Sequence, residues 1–336
     1  MNNRILDVEN LTVTIPVPSG LLHPVQEISL HVDRGETLCI VGESGCGKSL
    51  TSLAIMDLLP TKAERSAERI SLAGNDLQKA SERKMSDIRG NAMSMIFQEP
   101  MTSLNPAYTI GNQLAEGMKR HKKVSDAEAR ERAVYLLEKV GITAAASRLG
   151  QYPHQLSGGL RQRVMIAMAL MCGPALIIAD EPTTALDVTI QAQILHLLIE
   201  LQDEFDMGLI LITHDLGVVA RIADRVAVMY AGQIIENGSA EQVFNSPAHP
   251  YTHGLLDCIP IPGKTKPGER LGAIAGIVPS LVGSMPGCHF ASRCPLADDI
   301  CRSTQVSMRQ ASADDHEFRC LRSTTETTAV SYKGAA

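Results

Sequence analysis

The sequence has no surplus of basic residues: 31 Lys and Arg face 37 Asp and Glu, which gives a net charge of −6. Because proteins that bind nucleic acid usually carry a basic face, nucleic acid is not an expected partner. The longest apolar stretch, residues 164–179, is broken by Gly173 and Pro174 and is too short to span a bilayer comfortably. The first fifteen residues lack the layout of a signal peptide. We therefore expect the chain to stay in the cytosol and to reach a membrane only through partners.

The composition is that of an ordinary globular protein, with 44% hydrophobic and 20% charged residues and a mean hydropathy near zero. A length of 336 residues allows one large domain and a smaller appendage, at roughly 100–200 residues per domain. No internal repeat is visible, so each functional unit is expected once.

Strand and helix patterns alternate along the first 244 residues. Residues 4–15 and 26–32 alternate polar and apolar side chains, which predicts an antiparallel β-sheet at the start of the fold. Thr37–Val41 is continuously apolar, as in a strand buried on both faces, and similar runs cover 175–180, 209–213 and 226–230. Residues from about 100 to 175 have a helical pattern, in which Ser125 and Glu128 form a capping box. The sequence therefore predicts a layered α/β core with a helical subdomain.

The composition changes after residue 244. Prolines crowd this part of the chain, and four of the eight cysteines follow residue 287. We predict a first domain over 1–244, a small separate cysteine-containing domain over 245–322 and a polar, disordered tail over 323–336.

A phosphate-binding loop follows the predicted strand Thr37–Val41. Residues 42–49 read GESGCGKS and match GxxxxGK[ST], with a helix predicted to begin at Lys48. Glycines let backbone N–H groups turn towards phosphate oxygens, Lys48 reaches the terminal phosphates, and the Ser49 hydroxyl ligates Mg²⁺. Cys46 would make the site sensitive to thiol reagents if its thiol is accessible. The predicted ATP-binding residues here are Gly42, Glu43, Ser44, Gly45, Cys46, Gly47, Lys48 and Ser49.

Two acids end the apolar run at 175–180. Asp180 is placed to hold Mg²⁺ through water, and Glu181 is placed to polarise the attacking water. Such a pair is a weak signal alone and a strong one beside a phosphate loop.

Residues 156–163, LSGGLRQR, carry the motif that points to a family. They resemble the LSGGQ-type signature of the ABC ATPases, in which a serine and two glycines at a helix N-terminus form a second anion site. The resemblance implies an ABC-type P-loop nucleotide-binding domain. It also implies that Ser157, Gly158 and Gly159 face the γ-phosphate held by an opposite subunit, so that two head-to-tail domains sandwich two nucleotides.

Three further positions match motifs of the same family. Gln98 resembles the glutamine that senses Mg²⁺ and the membrane subunit, and Asp187, in Ala185-Leu186-Asp187, resembles the D-loop. His214 resembles the switch histidine, which would contact the γ-phosphate and help to hold Glu181 and the attacking water.

One departure concerns the adenine. ABC ATPases usually stack an aromatic side chain on it from an early loop, whereas residues 14–24 offer only Ile15, Pro16 or His23. His23 is the predicted contact.

Longer strings resemble one branch of the family, the ATPases that drive oligopeptide, dipeptide or nickel import, and among them the "D" ATPase of dipeptide systems. These strings are residues 97–106, 152–159 and 249–252, with the cysteine-containing tail. The resemblance implies peptide uptake, with nickel or another small solute as the alternative cargo. The implied partners are a second ABC ATPase subunit in a heterodimer, two transmembrane permeases and a periplasmic substrate-binding protein. The chain would lie peripherally on the cytoplasmic side of the inner membrane. A soluble ABC ATPase acting on nucleic acid is the alternative from another class, but it calls for tandem domains, a coiled-coil insertion or a basic surface.

Four cysteines in the proline-rich segment follow the spacing C-x5-C-x6-C-x18-C. They are Cys288, Cys294, Cys301 and Cys320. In the reducing cytosol two disulfides are not expected, so four thiolates on a metal centre is the better interpretation. Zinc accepts four cysteines, but its structural sites favour tight C-x2–4-C pairs. The tail resembles that of peptide-importer ATPases that carry a [4Fe-4S] cluster, which makes the cluster the expectation, with Zn²⁺ and free structural thiols as the alternatives.

Overall fold

The computed structural model describes residues 3–184, 186–259, 272–311, 315–330 and 332. Contacts divide the chain into two compact units. The first unit comprises Met1–Asp7, His31–Glu36 and Ser71–Ile212, and the second comprises Val8–Leu30, Thr37–Ile70 and Thr213–Ala336.

The described residues form the following strands: β1 Arg4–Val17, β2 Gly20–Asp33, β3 Thr37–Val41, β4 Glu64–Ser66, β5 Arg69–Leu72, β6 Asn75–Asp76, β7 Met93–Ile96, β8 Leu176–Asp180, β9 Gly208–Ile212, β10 Arg225–Tyr230, β11 Gln233–Ser239, β12 Arg309–Gln310 and β13 Glu317–Phe318. They form the following helices: α1 Lys48–Met56, α2 Glu82–Ile88, α3 Pro100–Ser103, α4 Ile110–Lys122, α5 Asp126–Lys139, α6 Ala145–Arg148, α7 Gly158–Leu170, α8 Val188–Phe205, α9 Leu216–Ile222, α10 Ala240–Asn245, α11 Pro250–Asp257, α12 Asp299–Ser303 and α13 Thr324–Thr327, with a 3-10 turn at Pro153–Gln155.

The first unit contains three parallel strands in the order β7, β8, β9. Ile178 of β8 is aligned with Met95 of β7 on one side and with Ile210 of β9 on the other. Every residue of β8 and β9 is buried, which explains their continuous apolar sequences. The predicted strands at 175–180 and 209–213 are confirmed.

The helical part of the first unit lies where the sequence predicts it. Helices α4, α5 and α7 pack on one another, and α3 packs on α7. The capping box at the start of α5 is present, because the Ser125 side chain accepts from the Glu128 N–H while the Glu128 carboxylate accepts from the Ser125 N–H. Gly141 follows the helix with a φ of +79°, a conformation that favours glycine and ends the helix.

In the second unit, β10 pairs in parallel with β3 and antiparallel with β11. A shift of register between Val228 and Met229 interrupts the β10–β11 ladder. Strand β1 pairs antiparallel with β4, with Val13 opposite Arg65, in agreement with the antiparallel sheet predicted for the first strands.

The residues after 245 are not set apart as a domain of their own. Strand β13 extends the second unit by pairing antiparallel with β11, with Phe318 opposite Glu236. The predicted division at 244/245 therefore differs from the structure, because backbone hydrogen bonds tie the late segment to strands that precede it.

The chain beyond residue 322 also differs from the predicted disordered tail. Ser323 caps helix α13, Thr327 is buried, and the Tyr332 N–H donates to the Asp257 carboxylate at 2.8 Å. The polar composition misled the prediction, because a capping box and one tyrosine supply the contacts that order this segment. Positions 331 and 333–336 lie outside the described residues.

A buried carboxylate joins β11 to the segment that follows it. Glu236 is fully buried and accepts from the backbone N–H groups of Ala248 at 2.7 Å and His249 at 2.8 Å. Its Oε1 also hydrogen-bonds His316 Nε2 at 2.9 Å. A buried charge is tolerated only with such partners, so these contacts are required by the burial itself.

Within the described ranges, no helix combines the length and the apolar character needed to cross a membrane.

Glu236→Gln should lower the free energy of unfolding by about 1–3 kcal/mol. The N–H₂ group of glutamine would face an N–H donor from which a carboxylate oxygen of Glu236 accepts a hydrogen bond, so two donors would meet. Glu68→Gln is the matched control: its side chain is exposed, and we expect a change of less than about 0.5 kcal/mol. Chemical denaturation of the two variants beside the unchanged chain measures both values. Equal stability of all three proteins would contradict a structural role for Glu236.

Candidate nucleotide-binding and catalytic site

The phosphate loop has three glycines with a positive φ, and at two of them no side chain fits. Gly42, Gly45 and Gly47 have φ values of +149°, +80° and +103°. A Cβ added at Gly42 would collide with the carbonyl oxygen of Met229, and one at Gly47 with the carbonyl oxygen of Pro24. Backbone conformation therefore favours glycine at all three positions, and lack of space also requires it at Gly42 and Gly47.

Lys48 points into this loop. It is the first residue of α1 and is 95% buried. Its Nζ donates to the carbonyl oxygens of Gly42 at 2.8 Å and Glu43 at 3.0 Å, and lies 3.9 Å from the Cys46 Sγ. These two hydrogen bonds hold the Lys48 ammonium group against the backbone of the loop.

The Cys46 thiol is not exposed to reagents. It is fully buried, and burial raises its pKa above the usual value. The predicted sensitivity to thiol reagents required an accessible thiol, and this condition is not met.

The other predicted residues of this loop differ in exposure: Gly42 is buried, and Glu43 and Gly47 are half-buried. Ser44 and Gly45 are exposed, and Ser49 is half-buried in the first turn of α1. His23, the predicted adenine contact, is half-buried in β2 and directly precedes Pro24, whose carbonyl oxygen lies against Gly47. His23 is therefore near the loop in space as well as early in the chain.

Glu181 and Gln98 meet in the first unit. Gln98 Nε2 donates to Glu181 Oε2 at 3.1 Å, and the Thr184 hydroxyl donates to the same oxygen at 2.8 Å. Glu181 has a φ of +43°, and its backbone N–H donates to the Ile212 carbonyl oxygen. Asp180, the buried last residue of β8, precedes it. The two hydrogen bonds hold the Glu181 carboxylate in one orientation.

The signature residues begin helix α7. Ser157 is the N-cap residue and is exposed, and no hydrogen bond from its side chain caps the helix. Gly158 and Gly159 follow, and a Cβ on Gly159 would lie 3.2 Å from a methyl group of Ile190. An uncapped helix N-terminus with small residues is suited to an anion.

Asp187 and His214 have different surroundings. The Asp187 carboxylate accepts from the Ile190 N–H at 3.0 Å and caps helix α8, so it has a structural contact in addition to its predicted role. Ala185, in the same motif, lies outside the described residues. His214 is exposed and lies two residues after the end of β9.

The four C-terminal cysteines are free thiols that influence one another. Burial raises the pKa of Cys288 and of Cys294 to about 11; backbone hydrogen bonds lower it by less, and the charges of the neighbouring cysteines add to the rise. The backbone N–H groups of Phe290 and Ala291 hydrogen-bond the Cys288 sulfur, and the N–H of Arg322 donates to that of Cys320 at 3.4 Å. Cys301 is buried.

No group of three or more His, Cys, Asp or Glu side chains among the described residues has the arrangement that a metal ion requires.

Two residues at the phosphate loop were missed by the sequence analysis. The Glu43 N–H donates to the Tyr251 hydroxyl at 3.0 Å, and Arg293 donates to the Glu43 carboxylate at 2.9 and 3.0 Å. Tyr251 belongs to a string that was used only to identify the branch. Arg293 stands one residue before Cys294 and had no motif of its own, so no local signal marked it.

The chain matches two family models. The ABC transporter model matches residues 25–184, and the model of the oligopeptide/dipeptide transporter C-terminal region matches residues 235–301.

Curated relatives match almost the whole chain. The dipeptide transport ATP-binding protein DppD of Bacillus subtilis strain 168 is 50% identical over 318 residues, covering 94% of each chain. DppD of Escherichia coli K12 is 49% identical over 316 residues, covering 94% of this chain and 96% of its own. Among solved structures, the dimeric post-hydrolysis state of the ATP-binding cassette MJ0796 bound to ADP and Pi has a TM-score of 0.63 at 26% identity, over 70% of this chain and 99% of that one.

Glu181→Gln should lower the rate of ATP hydrolysis by about 10² to 10⁴, because the amide cannot take a proton from the attacking water. Binding of Mg-ATP should persist, since the phosphate loop is unchanged. Rates and nucleotide affinity are measured on the chain co-purified with its transporter subunits. Glu200→Gln, on the exposed face of α8, is the control, and we expect it to retain the full rate. Normal turnover by Glu181→Gln would remove this residue from the chemistry.

Proposed function

The chain belongs to the ABC transporter family, and on this premise we propose that it is the ATP-hydrolysing subunit of an importer for di- or oligopeptides. The observation that carries the proposal is the identity of about half of all residues to peptide-import ATP-binding proteins over 94% of the chain. The match to the oligopeptide/dipeptide transporter C-terminal region supports the same branch.

In this proposal the phosphate loop holds ATP. Its inward N–H groups bind phosphate oxygens, and Lys48 supplies a positive charge from inside the loop. The hydrogen bonds that Lys48 donates to the Gly42 and Glu43 carbonyl oxygens keep its ammonium group in place. The lysine side chain therefore needs little reorganisation before ATP binds. A charge that is positioned in advance is worth more than one that must be ordered during the reaction.

Glu181 would then activate the water that attacks the γ-phosphate. The donors of Gln98 and Thr184 orient the carboxylate. A general base must lie within hydrogen-bond reach of its proton in a fixed direction, which this arrangement supplies.

We propose that a second ABC ATPase subunit completes the site. The uncapped N-terminus of α7, with Ser157 and Gly158, would bind the γ-phosphate of a nucleotide held by that partner. The dimeric form of MJ0796, a cassette of related fold, supports such an assembly. Two permeases and a substrate-binding protein would complete the transporter, with this chain peripheral on the cytoplasmic side of the inner membrane.

A groove in the first unit is suited to a permease. It has a volume of about 630 Å³ and is lined by Ser103, Asn105, Tyr108, Gln113 and Lys119 among others. Tyr108 is 54% exposed, a large aromatic side chain of the kind enriched where proteins dock. Two lining residues, Ser103 and Asn105, follow Gln98 in the sequence, the position that resembles the glutamine sensing the membrane subunit.

The remaining assignments stay predictions. Ser49, Gln98 and Asp180 offer hydroxyl, amide and carboxylate oxygens, the ligands that Mg²⁺ prefers, and the ion would neutralise phosphate charge. His214 is retained for the γ-phosphate, Asp187 for the nucleotide and His23 for the adenine. Nickel or another small solute remains the alternative cargo.

Lys48→Ala should abolish ATP-dependent peptide uptake without loss of the fold. The substitution removes the ammonium group that would bind the phosphates of ATP from within the loop. Uptake of a labelled dipeptide into cells or vesicles containing the full transporter measures the effect. Lys62→Ala, at an exposed position, is the control with unchanged uptake. Full uptake by Lys48→Ala would overturn the proposed role, and uptake of nickel alone by the unchanged transporter would select the alternative cargo.

We further propose that Cys288, Cys294, Cys301 and Cys320 hold a [4Fe-4S] cluster. The proposal rests on the donor set, four free thiols in one segment, and on N–H groups that meet the sulfurs of Cys288 and Cys320. Such hydrogen bonds stabilise cluster thiolates. The spacing of the four cysteines lacks the tight C-x2–4-C pairs that structural zinc sites favour, which supports the cluster over Zn²⁺. The cluster would cross-link the segment.

Protein purified without oxygen should be brown and contain about four iron and four sulfide per chain. Cys294→Ser should lose both, because one iron loses its thiolate. Cys258→Ser, outside the group, is the matched control and should keep them. Colourless protein with one zinc per chain would select the zinc alternative, and metal-free protein would contradict both.

A further inference from the structure

The side chain of Arg293 is buried, and each of its three guanidinium nitrogens donates a hydrogen bond. Its side chain is 4% exposed. Nε donates to the Ala275 carbonyl oxygen at 2.9 Å, and a terminal N–H donates to that of Ile274 at 3.0 Å. The other terminal nitrogen donates to the Glu43 carboxylate and to the Tyr230 hydroxyl at 3.3 Å. Backbone carbonyl oxygens, a tyrosine hydroxyl and the Glu43 carboxylate thus fix the guanidinium, and its positive charge lies in contact with the phosphate loop.

Glu43, the second residue of the loop, is held at three different atoms. Its N–H donates to the Tyr251 hydroxyl, its carbonyl oxygen accepts from Lys48, and its carboxylate accepts from Arg293. Tyr251 also hydrogen-bonds the carboxylate, and this tyrosine stays protonated because burial, followed by the Glu43 charge, raises its pKa. Because the backbone shape of such a loop directs its N–H groups, contacts that fix Glu43 also fix the direction of the phosphate donors.

The negative charge of Glu43 would also act directly on a bound nucleotide. A carboxylate on the loop repels the phosphates of a nucleotide, since like charges in a partly buried site interact strongly. Arg293 opposes that charge at contact distance. Phe290 packs its ring on both Tyr230 and Tyr251, with centroids 5.2 and 5.3 Å away, and the Arg293 guanidinium lies 5.7 Å from the centre of the Tyr230 ring.

We propose that Arg293 is a positioning residue for nucleotide binding: it neutralises the Glu43 carboxylate and holds it away from the phosphates. The C-terminal region thereby supplies part of the nucleotide site. The inference rests on the proposed function, and specifically on the phosphate-binding role of residues 42–49.

The test measures the Kd of Mg-ATP for the full-length chain by calorimetry. Arg293→Ala should weaken binding about tenfold, because Glu43 is left charged and unopposed. Arg293→Ala combined with Glu43→Gln should return the Kd to within about threefold of the unchanged chain, since the repulsive charge is gone. Arg302→Ala, an exposed arginine of the same segment, is the control and should bind normally.

Salt separates neutralisation from a structural role. The ratio of Kd values between Arg293→Ala and the unchanged chain should shrink as the salt concentration rises from about 0.1 to about 1 M, because the screening length falls from about 10 to about 3 Å. Arg293→Gln, which can still donate to a carbonyl oxygen, should behave like Arg293→Ala and covers the case in which that variant does not fold.

Three outcomes have distinct meanings. Normal affinity of both Arg293 variants would overturn the inference. Weak binding that Glu43→Gln does not restore and salt does not change would assign Arg293 a purely structural role and also overturn it. Failure of the unchanged chain to bind Mg-ATP would instead refute the proposed function.

Discussion

The carbonyl oxygens of Met229 and Pro24 lie so close to the phosphate loop that two of its positions have no room for a side chain. Gly42 faces the first and Gly47 the second, so strands β10 and β2 together determine the path of the loop. The start of α1 follows directly from this path. Gly47, in a left-handed conformation, is its N-cap residue, and Lys48 is its first residue, from which the ammonium group turns back into the loop. A larger residue at either glycine would displace all of these groups together.

A second constraint is local to Glu181. A non-glycine residue with positive φ costs about 1–3 kcal/mol and persists only where its surroundings determine it. Here the residue follows the fully buried strand β8, its N–H donates to Ile212, and its carboxylate accepts from Gln98 and Thr184. The donors of Gln98 and Thr184 then select the orientation of the carboxylate.

The residues after 245 contribute to folding the part of the chain that holds the loop. The protein has no tryptophan and only eleven phenylalanines and tyrosines. Three of them, Tyr230, Tyr251 and Phe290, pack with ring centroids 4.6 to 5.3 Å apart, and two of these come from the late segment. The buried Glu236 and the pairing of β13 with β11 join the same segments. The C-terminal region therefore acts through contacts with earlier strands rather than through a core of its own.

The sequence by itself determined what short-range chemistry controls. Apolar runs predicted β3, β8, β9 and β10 within one or two residues. The capping box predicted the start of α5, and the glycine pattern predicted the phosphate loop and the start of α1. These features depend on neighbours within a few positions, and such neighbours are visible in the sequence.

Only the tertiary structure decided which distant groups meet the motif residues. Arg293 contacts Glu43 across 250 positions, and Gln98 contacts Glu181 across 83. The same applies to the ordered residues near the C-terminus, where Tyr332 reaches Asp257. The period of a helix or strand carries no information about where the chain returns, because that depends on how the strands pair and on what each buried polar group requires. The sequence therefore identified the proposed phosphate-binding loop, while the fold determined which side chains hold it in place.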